Sequence, residues 1–230
     1  MPDTKDLKRI TRLVKRDIVG RVANRSDGDE TNSVEVVMEY VLRAGGSKGG
    51  NHLEIGTLFG GSAIAVALAK KKYDHPGMVV CVDPLNGYYQ DEIDEIVYSS
   101  LIDFTSGEAV TPEVLFQNIE TFGVGDRVLV LRSKSEAIAN LVDMKFNTAY
   151  IDGDHEDDAP LNDWNMVKDI VDRFVIFDNY GEKWPDVVRV CEYAAALPDW
   201  RCVYAGGISF VLERVIAKPL ATLHVIERNG

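Results

Sequence analysis

Cysteine is scarce in this chain. Cys81, Cys191 and Cys202 are the only three, far apart, without a C-x-x-C pair or an even count, which excludes a disulfide framework. Each lies in or near an apolar segment and is expected to be a buried thiol. Long apolar runs are missing as well, and none approaches the ~20 residues that span a bilayer. The opening MPDTKDLKRITRLVKRDIVGR has no apolar h-region of the secretory kind, so a cytoplasmic protein without a membrane partner is expected. Positive charge is in short supply: 25 Lys and Arg face 37 Asp and Glu, for a formal net charge of -12. The weak basic clusters at residues 8–16 and 70–72 do not make a basic face, which argues against a nucleic-acid partner. No internal repeat, low-complexity tract or linker interrupts the chain. Residues 1–230 therefore read as one domain, long enough to bury one core.

What is present is a regular alternation of apolar runs and helical periods. NSVEVVMEYVL, residues 32–42, places Val34, Val37, Met38, Val41 and Leu42 on one helical face, with Asn32 and Glu35 spaced as a capping box and Gly45-Gly46 as the stop. This helix closes an N-terminal helical segment, residues 1–49. The portion before Asn32 has too little apolar surface for a core of its own, which leaves packing on a second copy, a homo-oligomer, open. Strands are predicted at 52–55, 78–82, 128–131, 148–151 and 174–177. Helices are predicted at 62–69, from Thr111-Pro112 to Gly123, and at 136–142. Strands that alternate with helices imply a parallel sheet covered on both faces. Residues 202–204 and 209–213, joined by a hairpin-length connection, predict an antiparallel pair at one sheet edge. Residues 84–110, rich in Tyr and acids, are too long for an ordinary connection and read as a lid or insert loop.

Ligands of open parallel sheets bind beyond the carboxyl ends of the strands, so the turns there carry the chemistry. The first is LEIGTLFGGSA, with Glu54, Gly56, Gly60 and Gly61. It lacks the G-x-G-x-x-G spacing that admits a pyrophosphate, and its acid would repel one. It suits a ligand with a positively charged end and no phosphate, such as the amino-acid portion of S-adenosylmethionine; a plain packing turn is the structural alternative. Asp83, closing the second strand, stands where a carboxylate can accept both hydroxyls of a ribose. RSKSEA after the third strand offers Ser133, Lys134, Ser135 and Glu136, or simply caps the next helix. YIDGDHEDD after the fourth strand and FDNYG after the fifth place Asp152 and Asp178 at the ends of adjacent strands, with Asn179 alongside. Two carboxylates, an amide oxygen and water form an all-oxygen set suited to Mg²⁺ or another hard divalent cation. Glu156, Asp157 and Asp158 read as the solvated start of a helix opened by Ala159-Pro160.

LEIGTLFGGSAIAVALA, VVCVDP, FNTAYIDGDHEDD and VIFDNYG, in this order and spacing, resemble class I S-adenosylmethionine-dependent methyltransferases. More narrowly they are similar to the cation-dependent O-methyltransferases of the catechol and caffeoyl-coenzyme A type, and to a bacterial family that includes macrolide sugar O-methyltransferases. The resemblance covers roughly residues 50 to 215. It implies a Rossmann-like, doubly wound α/β sheet of about seven strands, mostly parallel with an antiparallel last strand. It further implies that Glu54, Gly56, Gly60 and Asp83 line the cofactor site, that Ser135 lies near the adenine, and that Asp152, Asp178 and Asn179 bind the metal. The sequence departs from the pattern twice. His155 stands three residues after Asp152, where the catechol and caffeoyl-coenzyme A enzymes carry a lysine, and Lys134 stands where an acid is usual.

The function so implied is methyl transfer from S-adenosylmethionine to a hydroxyl of a small-molecule acceptor, a sugar, phenol or natural product, with His155 and Asp152 as the catalytic pair. A nicotinamide-dependent oxidoreductase, disfavoured by the missing glycine pattern, and a non-catalytic binding protein of the same fold are the rival readings. Tyr88, Tyr89, Trp164, Tyr180 and Trp184 are candidates to wall an acceptor pocket. Trp164, sharing a helical face with Leu161 and Val167, is equally a core residue.

Overall fold

Apolar runs bounded by glycine, proline and acids set the strands of the computed structural model, which describes residues 2–20, 33–45, 50–85, 92–93, 96–97, 111–141 and 143–215. In chain order these are helix α1 (Thr4–Asp17), helix α2 (Ser33–Arg43), strand β1 (Asn51–Ile55), helix α3 (Gly61–Lys72), strand β2 (Val79–Asp83), and the two-residue strands β3 (Glu92–Ile93) and β4 (Ile96–Val97). They continue with helix α4 (Pro112–Thr121), strand β5 (Val128–Arg132), a 3-10 turn (Ser135–Asn140), strand β6 (Phe146–Ile151), helix α5 (Ala159–Val167), strand β7 (Val171–Phe177), helix α6 (Pro185–Ala195), and strands β8 (Trp200–Gly206) and β9 (Ser209–Arg214). The main sheet has seven strands in the order β5-β2-β1-β6-β7-β9-β8. β5, β2, β1, β6 and β7 run parallel, and β9 lies antiparallel between β7 and β8. The doubly wound α/β sheet with its antiparallel last strand is thus as expected.

Alternation along the inner strands divides the side chains between two cores. Val79, Cys81, Tyr150, Phe174 and Ile176 face α1–α4, whereas Leu53, Ile55, Val80, Val82, Ala149, Ile151, Val175 and Phe177 face α5 and α6. The predicted apolar face of α2 is buried as Val34, Val37, Met38 and Val41, and Gly45 closes that helix at φ +74°. Its capping residue Asn32 and Gly46 lie outside the described residues, as do Tyr88, Tyr89 and most of the 84–110 loop.

Three expectations need correction. The N-terminal segment does have an apolar stripe: Leu7, Ile10, Thr11 and Val14, at helical spacing on α1, are buried against the domain's own α2–α3 layer. Burying each aliphatic side chain there is worth roughly 1.5–3 kcal/mol, which holds α1 against the domain's own core. Cys81 and Cys191 are buried as expected, but Cys202 is exposed, because it lies on β8, the sheet's edge strand, in the exposed run 201–203. The helix expected at 136–142 is instead the 3-10 turn, opened at Ser135 and ended at Leu141, whose N–H bonds Ile138 carbonyl. Among the described residues no helix is long and apolar enough to cross a membrane.

Candidate active site at the carboxyl edge of the sheet

The strand order reverses between β1 and β6, so the loops after β1, β2, β6 and β7 meet at one edge. Among the described residues, four of the five non-glycine residues at positive φ sit in those loops: Leu58, Leu85, Asp157 and Asn179, the fifth being Asp74. Side chains held in the left-handed region cost energy that the surrounding structure must repay, and they gather at ligand sites.

The loop after β1 is built around Gly56. At φ +82° it brings its α-carbon against the backbone of the β6 loop, where a β-carbon would lie 2.0 Å from the Asp152 carbonyl oxygen. Gly60, at φ +83°, forms the N-cap of α3, and a β-carbon there would strike Leu115 at 2.6 Å. Both glycines are thus required by packing, and the turn they make leaves room at the start of α3. Beneath it lies Glu54, fully buried between Cys81 and Tyr150 of the neighbouring strands. Ser62 donates to its Oε1 at 2.8 Å, while Oε2 has no partner. Burial pushes the Glu54 carboxyl up to about 8; the Ser62 hydrogen bond opposes the rise, and the Asp152 and Asp83 charges add to it. A buried acid with an orphaned oxygen fits a cationic ligand group.

Asp83 closes β2 as expected, but its carboxylate already braces the loops. Oδ2 accepts the N–H groups of Thr57 and Leu58 at 2.7 and 3.0 Å, and Oδ1 accepts that of Leu85 at 2.7 Å. Oδ1 keeps a further lone-pair direction for a ligand hydroxyl.

Asp152 and Asp178 end the adjacent strands β6 and β7, paired in register through Ile151 and Phe177. Asp178 is 2% exposed and its Oδ1 has no partner. Burial and then the facing Asp152 charge hold the Asp178 carboxyl well above the usual carboxylate range. Asn179 is oriented so that its amide nitrogen donates to Asp178 Oδ2 at 2.8 Å and its oxygen accepts from Trp184 Nε1 at 3.0 Å. A half-turn of that amide would face its oxygen toward Asp178. Among the described residues no group of three or more His, Cys, Asp or Glu converges as a metal centre. The set here is two carboxylates and an amide, and its charge and orphaned oxygen fit a hard divalent cation that would complete its shell with water.

His155 packs its ring 5.0 Å from that of Trp184 and places Nε2 3.4 Å from Asp152 Oδ1. Asp154, Glu156, Asp157 and Asp158 are exposed and lead into α5, so most of the acidic loop faces water. Trp164 is fully buried against Phe177 and Trp200 and is core. Tyr180 stacks on Phe210 at 4.7 Å, which leaves Trp184 as the aromatic beside His155.

Two residues at this edge escape a reading of the sequence. Asp163 of α5 is 5% exposed and sits where a β-carbon on Gly153 would meet its Oδ2 at 2.8 Å. Burial pushes its carboxyl up to about 6, and the Ser135 hydroxyl opposes the rise. Tyr150 is fully buried, and its hydroxyl donates to Asp152 Oδ2 at 3.4 Å. The available signal was a polar ring on the buried face of an inner strand, two residues before Asp152.

This fold, with an acid under a glycine turn and paired aspartates at the switch point, is that of a class I methyltransferase. Residues 53–180, more than half of the chain, match the family described as a methyltransferase domain, and the chain belongs to that family. No curated protein matches the sequence. Similar solved structures include an O-methyltransferase from Bacillus cereus in complex with SAH, at 17% identity and TM-score 0.56, covering 94% of this chain and 93% of that one. The O-methyltransferase NovP aligns at 15% identity and TM-score 0.63, over 93% and 100% of the two chains. CalS11, a TDP-rhamnose 3'-O-methyltransferase of calicheamicin biosynthesis, aligns at 15% identity and TM-score 0.51, over 93% and 96%. At such identities the likeness is one of fold.

Proposed function

We propose that this protein transfers the methyl group of S-adenosylmethionine to a hydroxyl oxygen of a small molecule, with a divalent cation such as Mg²⁺ held by Asp152, Asp178 and Asn179. The observation that carries the reading is the convergence of Asp152 and Asp178 on adjacent strand ends, next to the Glu54 turn and His155. The O-methyltransferases among the similar structures support the oxygen acceptor. An acceptor oxygen lone pair forms a bond to the methyl carbon, and the carbon–sulfur bond breaks with its electron pair left on sulfur, yielding S-adenosylhomocysteine. The hydroxyl proton passes to His155. Asp152, 3.4 Å from His155 Nε2, orients that ring and stabilises its charged form. The cation, when bound, supplies positive charge that favours the ionised acceptor oxygen. Glu54 faces the donor's ammonium group, Gly56 and Gly60 shape the turn around it, Asp83 takes the ribose hydroxyls, and Ser135 lies at the adenine. The protein's main work is alignment of oxygen, methyl and sulfur in line. Incubation with labelled donor, Mg²⁺ and a panel of sugars, phenols and natural-product scaffolds, read by mass spectrometry, tests the reading; no methylated acceptor across the panel would leave a donor-binding protein.

Donor binding should depend on pH through Glu54. Its folded carboxyl is raised from 4.5 to about 8, so without ligand it is mostly protonated at pH 7. A cationic ligand favours the charged form, so binding releases a proton, and affinity for S-adenosylhomocysteine rises from pH 6 toward pH 8 by up to tenfold per unit. The stability sign is opposite. The raised folded value favours the folded state below about 4.5, and that contribution is lost as pH rises through about 8. Calorimetry in buffers of different ionisation enthalpy measures the released proton, and Glu54→Gln should abolish the slope.

Asp83→Ala should cost several kcal/mol of affinity for the same ligand, at ~1.5–3 kcal/mol for each lost hydrogen bond to the charged acceptor. It also strips three loop N–H groups of their acceptor, so the melting temperature should fall alongside. Unaltered affinity in a folded variant removes Asp83 from the ribose site.

A further inference from the structure

Resting on the cation reading above, the geometry points to the Tyr150 hydroxyl as a positioning group for the divalent-cation site: it holds the Asp152 carboxylate in the arrangement that receives the ion.

Tyr150 stands in β6 with its neighbours set by register, Glu54 of β1 on one side and Ile176 of β7 on the other. Its ring belongs to the core under α2 and α3 and is fully buried, so a purely structural residue at this position has no use for a hydroxyl. A buried phenol without a partner costs free energy, and this one donates to Asp152 Oδ2 at 3.4 Å. The other oxygen of that carboxylate, Oδ1, faces His155. Asp178 Oδ1 keeps no partner at all and is the oxygen left over for an ion.

Donors that touch a ligating carboxylate, and not the ion itself, fix its rotamer and its spacing from the next ligand. Here the spacing matters because neighbouring carboxylates repel each other, and Asp152, partly exposed, would without its donor be free to rotate toward water. Thr148, two residues earlier on the same face, hydrogen-bonds His52 at 2.8 Å, so the buried face of β6 carries a polar side chain at both places where it meets one on β1. Only the second of these lies at the ligand edge.

The test compares wild-type and Tyr150→Phe chains, both with S-adenosylhomocysteine present, by titration with Mn²⁺ followed by electron paramagnetic resonance. The phenylalanine keeps the ring in the core and removes only the hydroxyl. Mn²⁺ binding is expected to weaken by roughly ten- to a hundredfold, with the melting temperature and the S-adenosylhomocysteine affinity little changed. In turnover, the loss should be recovered at high Mn²⁺, a dependence that a general loosening of the core would not produce. Equal Mn²⁺ affinity in the two chains overturns the assignment. If the wild-type chain binds no Mn²⁺, the cation reading itself falls, and this assignment with it. Should Tyr150→Phe fail to fold, 3-fluorotyrosine placed at position 150, nearly isosteric and a stronger donor, is expected to tighten Mn²⁺ binding; unchanged or weaker binding then counts against the role.

Discussion

Replacing Asp178 with asparagine is expected to abolish cation-stimulated methyl transfer while leaving the ligand-free protein as stable as before or more so. The two effects part because Asp178 is a liability without its ion. Its carboxyl is buried, faces Asp152, has an unpartnered oxygen, and is held well above the usual range by burial and then by that neighbouring charge. A neutral amide of the same size removes the repulsion. Because the folded carboxyl takes up its proton more readily than an unfolded one, its contribution to stability is fully present at low pH and lost as pH rises toward its folded value. Asp178→Asn should therefore flatten the melting temperature against pH. Activity moves the other way. Positive charge at a developing oxyanion is worth several kcal/mol, and each 1.36 kcal/mol is tenfold, so a loss of about 10³ in kcat/KM is expected. Chelation of the wild type should reproduce that loss and Mg²⁺ should reverse it. Full activity of Asp178→Asn in chelator would end the cation reading and return the acidic loop to solvent.

His155→Ala is the second large effect, a fall in kcat of roughly 10² to 10⁴ with donor affinity nearly intact, as removal of a general base requires. His155 shares its surroundings with Trp184 at 5.0 Å and Asp152 at 3.4 Å, and it lies outside the Glu54 turn proposed for the donor. His155→Gln, which retains polarity but cannot accept the proton, should behave like the alanine variant. A variant with wild-type kcat would pass deprotonation to the ion or to solvent.

The paired register of β6 and β7 places Asp152 and Asp178 side by side, and that much was legible in the sequence. Each aspartate directly follows an apolar run, and runs of that length in alternation with helical periods admit a parallel sheet whose carboxyl ends share an edge. Glu54, Gly56 and Asp83 follow by the same logic. Their packing does not. That Gly56 lies against the Asp152 carbonyl oxygen, or that Asp83 spends its oxygens on the N–H groups of Thr57, Leu58 and Leu85, depends on how two loops distant in sequence come together.

What the sequence determined by itself was the alternation of strands and helices, the doubly wound class of the sheet with its antiparallel end, and the strand-end turns that carry Glu54, Asp83, Asp152 and Asp178. Hydrophobic period is a local property, and it reports which residues turn away from water. The tertiary structure alone decided which buried polar groups meet. It brought the Tyr150 hydroxyl to the Asp152 carboxylate, buried Asp163 against Gly153, seated α1 on its own domain, and left Cys202 open on the edge strand. Each of these turns on strand order or on which layer covers which face. Those are contacts between segments far apart in the chain, and no window along the sequence contains both partners.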